Sequence, residues 1–186
     1  MSNRAVFLDR DGTINMEREY LHRPGEFAFI PGAPEAISLL KEAGFLVIVV
    51  TNQSGIARGL FDEAAVHRLH RYMDEQLALH GTSVDAYYLC PHHPQHGSGD
   101  YRRACGCRKP LPGMLIEAAG DFSINLSASY VVGDKLADVT AGLAAGCRPL
   151  LVRTGYGAGE CDSLPPGVPC CDDLLAAARQ IVAGEA

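Results

Sequence analysis

The sequence predicts an α/β fold, a three-layer α/β/α sandwich built on a parallel Rossmann-like sheet. Two observations carry this. Short β-branched runs alternate with helical stretches along the whole chain, which is the pattern of a parallel sheet covered on both faces. A polar cluster follows each of the first four runs, where ligands bind in open sheets of this kind.

Ala5–Leu8 reads as the first strand. Ala33–Glu42 reads as a helix, with Ile37, Leu39 and Leu40 as its apolar stripe and Gly44 as its stop. Phe45–Val50 is a second strand. Asp62–His80 is a long helix with Asp62 as N-cap and Gly81 beyond its end. Ala86–Leu89 is a third strand, and residues 90–110 are irregular, rich in Cys, His, Gly and Arg. Pro112–Ala119 is a helix with proline in its first turn. Tyr130–Val132 is a fourth strand, Leu136–Ala145 a helix stopped by Gly146, and Pro149–Val152 a fifth strand. Gly and Pro make residues 154–169 a loop, and Asp172–Val182 closes the chain as a helix. One domain over residues 1–186 is expected, with no repeat and no low-complexity tract.

At 186 residues, with 47% hydrophobic and 20% charged side chains, the chain is excluded from the disordered class. It has no Trp and only 7% aromatics, so Leu, Val, Ile and Ala must fill the core. No run approaches the roughly 18 apolar residues of a membrane helix. The N-terminus meets charge at Arg4 and Asp9, too soon for a secretion signal. A cytoplasmic monomer without a membrane partner is the expectation. The net charge of −6 and the lack of a basic run argue against nucleic acid. A phosphate ligand stays open, since one or two placed cations and backbone N–H groups can hold it.

An odd count of seven cysteines argues against a disulfide framework in such a chain. Cys147, Cys161, Cys170 and Cys171 read as small buried hydrophobes or incidental thiols. Cys90, Cys105 and Cys107 instead share one stretch with His92, His93 and His96. Cys90-Pro91-His92 and Cys105-Gly106-Cys107 are tight pairs joined by a loop, which is how a chain places four soft ligands around one tetrahedral ion. Three thiolates and one imidazole suit structural Zn²⁺ and leave no open position. His93 and His96 rival His92 by residue type. Free thiols in a loop are the alternative. A zinc loop over residues 90–107 would fix Arg108 and Lys109, which follow it directly.

Asp9 comes straight off the first strand, and Asp11 lies two residues on, on the same side of an extended chain. Two carboxylates so close repel unless a cation lies between them or one is protonated, and Mg²⁺ suits such oxygen ligands together with a phosphate. An ordinary Asx turn would look the same. Thr51-Asn52-Gln53-Ser54-Gly55 has the composition of an oxyanion cradle, or of a polar loop. Lys109 supplies a cation, and Asp134 could complete a metal site, with Asp138 bracing Lys135 or the metal shell.

These pieces resemble the haloacid dehalogenase-like phosphatase superfamily. Residues 9–13 match its Asp-x-Asp-Gly-Thr motif in full, Thr51 its second motif, Lys109 its third and Gly133-Asp134 its fourth, in the same order over roughly residues 1–150. The resemblance implies that Asp9 is the nucleophile and forms an aspartyl-phosphate, and that Asp11 is the general acid and base. It implies that Thr51 and Lys109 stabilise the transferring oxygens, and that Mg²⁺ is held by Asp9, the backbone carbonyl of Asp11 and Asp134. The stretch between Asp11 and Thr51 leaves no room for a cap domain, so Asn15–Pro31 and the zinc segment must select the substrate.

The zinc pattern is similar to the small capless branch shared by histidinol-phosphatases and heptose-bisphosphate 7-phosphatases, and this likeness also points to His92 as the imidazole ligand. Thr51-Asn52-Gln53-Ser54-Gly55-Ile56-Ala57-Arg58-Gly59, Phe27-Ala28-Phe29-Ile30-Pro31-Gly32 and Cys107-Arg108-Lys109-Pro110 look like the heptose version. The likeness implies a small phosphorylated sugar as substrate, in the synthesis of cell-envelope polysaccharide precursors. It implies sugar contacts from Glu17, Arg18, Glu19, Tyr20, Asn52, Gln53, Ser54, Arg108 and Lys135, with Arg108 meeting a distal phosphate. Histidinol phosphatase is the alternative substrate class. A phospho-acceptor signalling domain is the alternative of another kind, although Asp11 and the zinc loop would have no purpose there.

Overall fold

The strands are β1 (Ala5–Leu8), β2 (Leu46–Asn52), β3 (Ala86–Cys90), β4 (Tyr130–Gly133), β5 (Arg148–Val152) and β6 (Cys170–Cys171) in a computed structural model that describes residues 2–184. Met1 and the last two positions of the expected 1–186 domain lie outside the described residues. The sheet runs β3-β2-β1-β4-β5-β6, with every neighbouring pair parallel. The helices are α1 (Ala33–Glu42), α2 (Ser54–Ala57), α3 (Glu63–Leu79), α4 (Gly113–Phe122), α5 (Leu136–Ala145) and α6 (Leu174–Ala183).

The three layers follow from the pleat of β1. Its side chains alternate between faces, and both faces are covered, so every residue is apolar. Val6 and Leu8 enter a core with Ile37 and Leu40 of α1, Met73 and Leu77 of α3, and Leu174 and Ala178 of α6. Ala5 and Phe7 enter the opposite core with Met114 and Leu115 of α4 and Ala141 of α5. Among the described residues, no helix is long and apolar enough to cross a membrane.

Element ends differ from expectation where tertiary pairing overrides local pattern. β2 runs on to Thr51 and Asn52 because β3 offers Leu89 and Cys90 as partners. α4 continues past Gly120 and stops at Ser123, which is left-handed (φ 52°), and Pro112 is its N-cap. Asp62 caps α3 as expected, accepting from Ala65 N at 2.8 Å. The turn at Ser54–Ala57 and the two-residue β6 were not expected.

Two of the scattered cysteines need correction. Cys161 and Cys170 are disulfide-bonded, with Cα atoms 6.0 Å apart. Pairing of β6 with β5 brings Cys170 back beside the turn that carries Cys161, a neighbourhood that sequence spacing does not reveal. Cys147 and Cys171 are free and buried, as expected.

After β1 the chain crosses to β2 on one side and later to β4 on the other. A crevice therefore opens at the carboxyl end of β1, flanked by Thr51 and Asp134.

Candidate active site

Asp9 extends β1 by one residue, its N–H donating to Val132 O at 2.9 Å. Its Oδ1 lies 2.8 Å from Nζ of Lys109. The same ammonium donates to Val50 O at 2.7 Å and lies 2.6 Å from Oδ1 of Asp138. Burial alone would pull the Lys109 ammonium below its ordinary pKa, but Asp138 and Asp9 outweigh that and raise it, so Lys109 is a fixed cation. Asn52 holds the backbone of the same lysine from both sides: its Nδ2 donates to Lys109 O at 3.0 Å and its Oδ1 accepts from Lys109 N at 3.1 Å. The end of β2 thus fixes Lys109 independently of the cysteine loop, and Asn52 spends its amide on this clamp.

Asp11 faces away from Lys109. Nη2 of Arg10 donates to its Oδ2 at 2.9 Å and its Oδ1 at 3.1 Å, Asn15 donates to Oδ1 at 3.0 Å, and Gln53 donates to Oδ2 at 3.1 Å. Burial pushes the Asp11 carboxyl up, but Arg10, Asn15 and Gln53 together hold it below its ordinary value. Gln53 also donates to Thr51 Oγ1 at 2.8 Å, so this amide couples the ends of β1 and β2.

Asp134 leaves β4 fully buried. Its Oδ2 accepts from Tyr156 N at 2.9 Å, and its Oδ1 has no partner among the described residues. Gly12 (φ 84°) and Gly155 (φ 59°) close around it, and a Cβ on either would collide with its carboxylate. Burial, with Asp9 beside it, pushes the Asp134 carboxyl up to about 8. Asp9, Asp134 and Asp138 bring carboxylate oxygens within 4.8 Å of one another, all buried. A buried acidic cluster with an unpartnered oxygen fits a hard divalent cation. Both oxygens of Asp138 are engaged, Oδ1 by Lys109 and Oδ2 by Lys135 N, whereas Asp9 meets Lys109 through Oδ1 alone, which leaves Asp9 and Asp134 as the carboxylates open to such an ion.

A cavity of about 340 Å³ opens over these groups. Asp9, Asp11, Thr51, Lys109 and Lys135 line it, as do Glu17, Glu19, Tyr20, Asn52, Gln53, Ser54 and Arg108. Lys135 Nζ lies 3.7 Å from Glu17 Oε2 and over the Tyr156 ring at 4.5 Å. Arg18 is exposed and does not line the cavity: its carbonyl accepts from Leu21 N in a turn that carries the side chain outward. Unlike its neighbours Glu17, Glu19 and Tyr20, it therefore stands outside the cavity wall.

The four zinc candidates converge. Sγ of Cys107 lies 3.1 Å from that of Cys90 and 3.3 Å from that of Cys105, and Nδ1 of His92 lies 3.5 Å from Cys107 Sγ. Four soft donors around one point fit a tetrahedral ion. His92 is the imidazole in this cluster. His93 accepts at Nδ1 from Gln95 N and His96 N and so is committed elsewhere. Arg108 is tied to the cluster by donating to His92 O at 3.2 Å.

Sequence reasoning passed over Arg10, Asn15 and Tyr156. Asp138 does brace Lys135, its Oδ2 accepting from Lys135 N at 3.1 Å, and it joins the carboxylate cluster; its ion pair with the Lys109 ammonium was not foreseen. An arginine between two acids was the available signal for Arg10. Nothing local marks the others.

A family model described as HAD-hydrolase-like matches residues 106–177. A D-glycero-beta-D-manno-heptose-1,7-bisphosphate 7-phosphatase of Yersinia pestis is 49% identical over 152 residues, 81% of each chain. The protein of that name from Escherichia coli K12 is 51% identical over 152 residues, 81% of this chain and 80% of its own. The crystal structure of a D,D-heptose 1,7-bisphosphate phosphatase from B. bronchiseptica, complexed with magnesium and phosphate, is similar at a TM-score of 0.87 and 41% identity, over 98% of this chain and 99% of its own.

Proposed function

Because the chain belongs to the D-glycero-beta-D-manno-heptose-1,7-bisphosphate 7-phosphatase family of HAD-like hydrolases, we propose that it removes the 7-phosphate of that sugar bisphosphate in a Mg²⁺-dependent reaction. The observation that carries this is the pairing of Asp9 with a locked cation, Lys109, beside a second and differently held carboxylate, Asp11. Two acids whose surroundings hold them differently can take different roles. The sugar belongs to cell-envelope polysaccharide precursor synthesis.

A carboxylate oxygen of Asp9 attacks phosphorus in line, and the bond from phosphorus to the sugar oxygen breaks. Asp11 gives that oxygen its proton. Asp11 is held as a carboxylate in the free protein; the arriving phosphate, a like charge, raises its proton affinity, so it takes up a proton from solvent as the ester binds and passes that proton on. In the second step Asp11 takes a proton from water, the oxygen attacks phosphorus, and Asp9 is released together with inorganic phosphate. Lys109 and Thr51 stay in place and stabilise the equatorial oxygens. Asp9, Asp134 and the Asp11 carbonyl would hold Mg²⁺, which when bound supplies positive charge to the phosphoryl oxygens. Cys90, His92, Cys105 and Cys107 would hold structural Zn²⁺. Arg108, which lines the cavity near the cysteine cluster, would meet the 1-phosphate.

The test is phosphate release from a panel with both heptose 1,7-bisphosphate anomers, sugar monophosphates and histidinol phosphate, with Asp9→Asn as control. Preference for the β-bisphosphate and no release by Asp9→Asn are expected. Preference for histidinol phosphate, or release by the amide variant, would overturn the assignment.

A further inference from the structure

Arg10 lies between the two motif aspartates and is completely buried. Its guanidinium is held by three residues: Nε and Nη2 face Asp11, Nη2 also donates to Leu21 O at 3.1 Å, and Nη1 lies 3.2 Å from Nε2 of His70. Guanidinium only donates, so Nε2 accepts, and the ring is neutral with its proton on Nδ1. His70 is in α3, far from β1 in sequence, and only 4% exposed. Its ring is stacked on Tyr87 of β3, centroids 4.2 Å apart and planes within 14°. The Tyr87 hydroxyl in turn donates to Asp74 Oδ1 at 2.6 Å, back on α3. The ring is thus wedged between helix and sheet with its lone pair aimed at the arginine.

Nothing in this chain of contacts touches the cavity except Asp11. A side chain with as much rotamer freedom as arginine presents a fork in one plane only if both ends are held. Asp11 takes one end and His70 the other. We propose that Arg10 and His70 are positioning residues for the acid–base carboxylate, His70 fixing the guanidinium that in turn fixes the orientation of Asp11. This rests on the acid–base role given to Asp11 above.

The experiment is a double-mutant cycle read as kcat and KM on the sugar bisphosphate. His70→Phe keeps the stacking ring and removes the acceptor; His70→Gln supplies an amide oxygen as acceptor without the ring. Loss of orientation is expected to lower kcat about tenfold in His70→Phe, since small misplacements of catalytic groups can cost up to about 10²-fold. KM should stay within about twofold, and His70→Gln should recover most of the loss. In an Asp11→Asn background, His70→Phe should cost less than about twofold further, because coupled residues are non-additive. Arg10→Lys should behave as His70→Phe, and the two His70 variants decide the matter if the lysine protein does not fold. Equal losses with and without Asp11, or a Gln variant as slow as the Phe variant, would overturn the link. Undiminished turnover by Asp11→Asn itself would overturn the acid–base reading beneath it.

Discussion

The ammonium of Lys109 lies 2.6 Å from Oδ1 of Asp138, and both side chains are only 3% exposed. This pair makes Lys109 a fixture of the fold rather than a mobile cation. Asp138 comes from α5 and Lys109 from the segment before α4, so the pair joins two helices on the same face of the sheet.

Removing one partner of such a pair leaves a buried charge short of compensation, at a cost of about 3–5 kcal/mol when no other carboxylate is present. Asp9 remains beside Lys109, so Asp138→Ala is expected at the lower end, about 3 kcal/mol, with a marked loss of kcat. Asp138→Asn, which keeps an oxygen near the ammonium, should lose less. Urea denaturation of the three proteins gives the comparison.

Arg108 should discriminate between substrates. A charge-assisted hydrogen bond is worth about 1.5–3 kcal/mol, so Arg108→Ala is expected to raise KM for the bisphosphate by roughly 10- to 100-fold. A sugar carrying only the 7-phosphate should be nearly unaffected. Steady-state kinetics on both esters is the check, and equal effects on the two would remove Arg108 from the distal phosphate.

If Cys90, His92, Cys105 and Cys107 hold zinc as proposed, chelating it should separate the two cations. Arg108 is anchored to the cluster through His92 O, whereas Lys109 is also held by Asn52, Val50 and two carboxylates. Metal-stripped protein should therefore show a larger rise in KM than fall in kcat, faster amide exchange over residues 90–107, and unchanged sheet signals in circular dichroism.

His70 gives a pH dependence of stability. Burial first, then Arg10 and His67, pull its pKa from the ordinary 6.5 down to about 3. Between those values the unfolded chain binds a proton that the folded chain refuses. The associated stability is complete above pH 6.5 and falls as pH drops toward 3, by up to about 1.4 kcal/mol per pH unit. His70→Gln should flatten that slope. Denaturation midpoints at pH 7 and pH 4.5, wild type against variant, measure the difference.

Much of this molecule was legible in its residues. The five longer strands and the five longer helices followed from alternation and stop signals, because burial on both faces writes itself into composition. The carboxylates, Thr51, Lys109 and the cysteine cluster were legible because motif spacing fixes them at strand ends. What escaped depends on three-dimensional return of the chain. β6 is too short to have a period, and the Cys161–Cys170 bond needs β5 to bring its ends together. Asn52 and Gln53 line the cavity, as the family likeness implied, but that their amides also bond Lys109, Thr51 and Asp11 is visible only in the fold. His70 lies inside the long helix with no motif around it, and its partners Arg10 and Tyr87 come from distant parts of the chain.

Gly12 and Gly155 set the terms on which this pocket can change over evolutionary time. Any side chain at either position displaces the Asp134 carboxylate, so the floor is frozen against drift. The wall of residues 16–31 carries no such veto: at its one glycine, Gly25, an added Cβ meets nothing within 4 Å. Divergence toward new esters in this lineage should therefore accumulate as remodelled rims around an unaltered base.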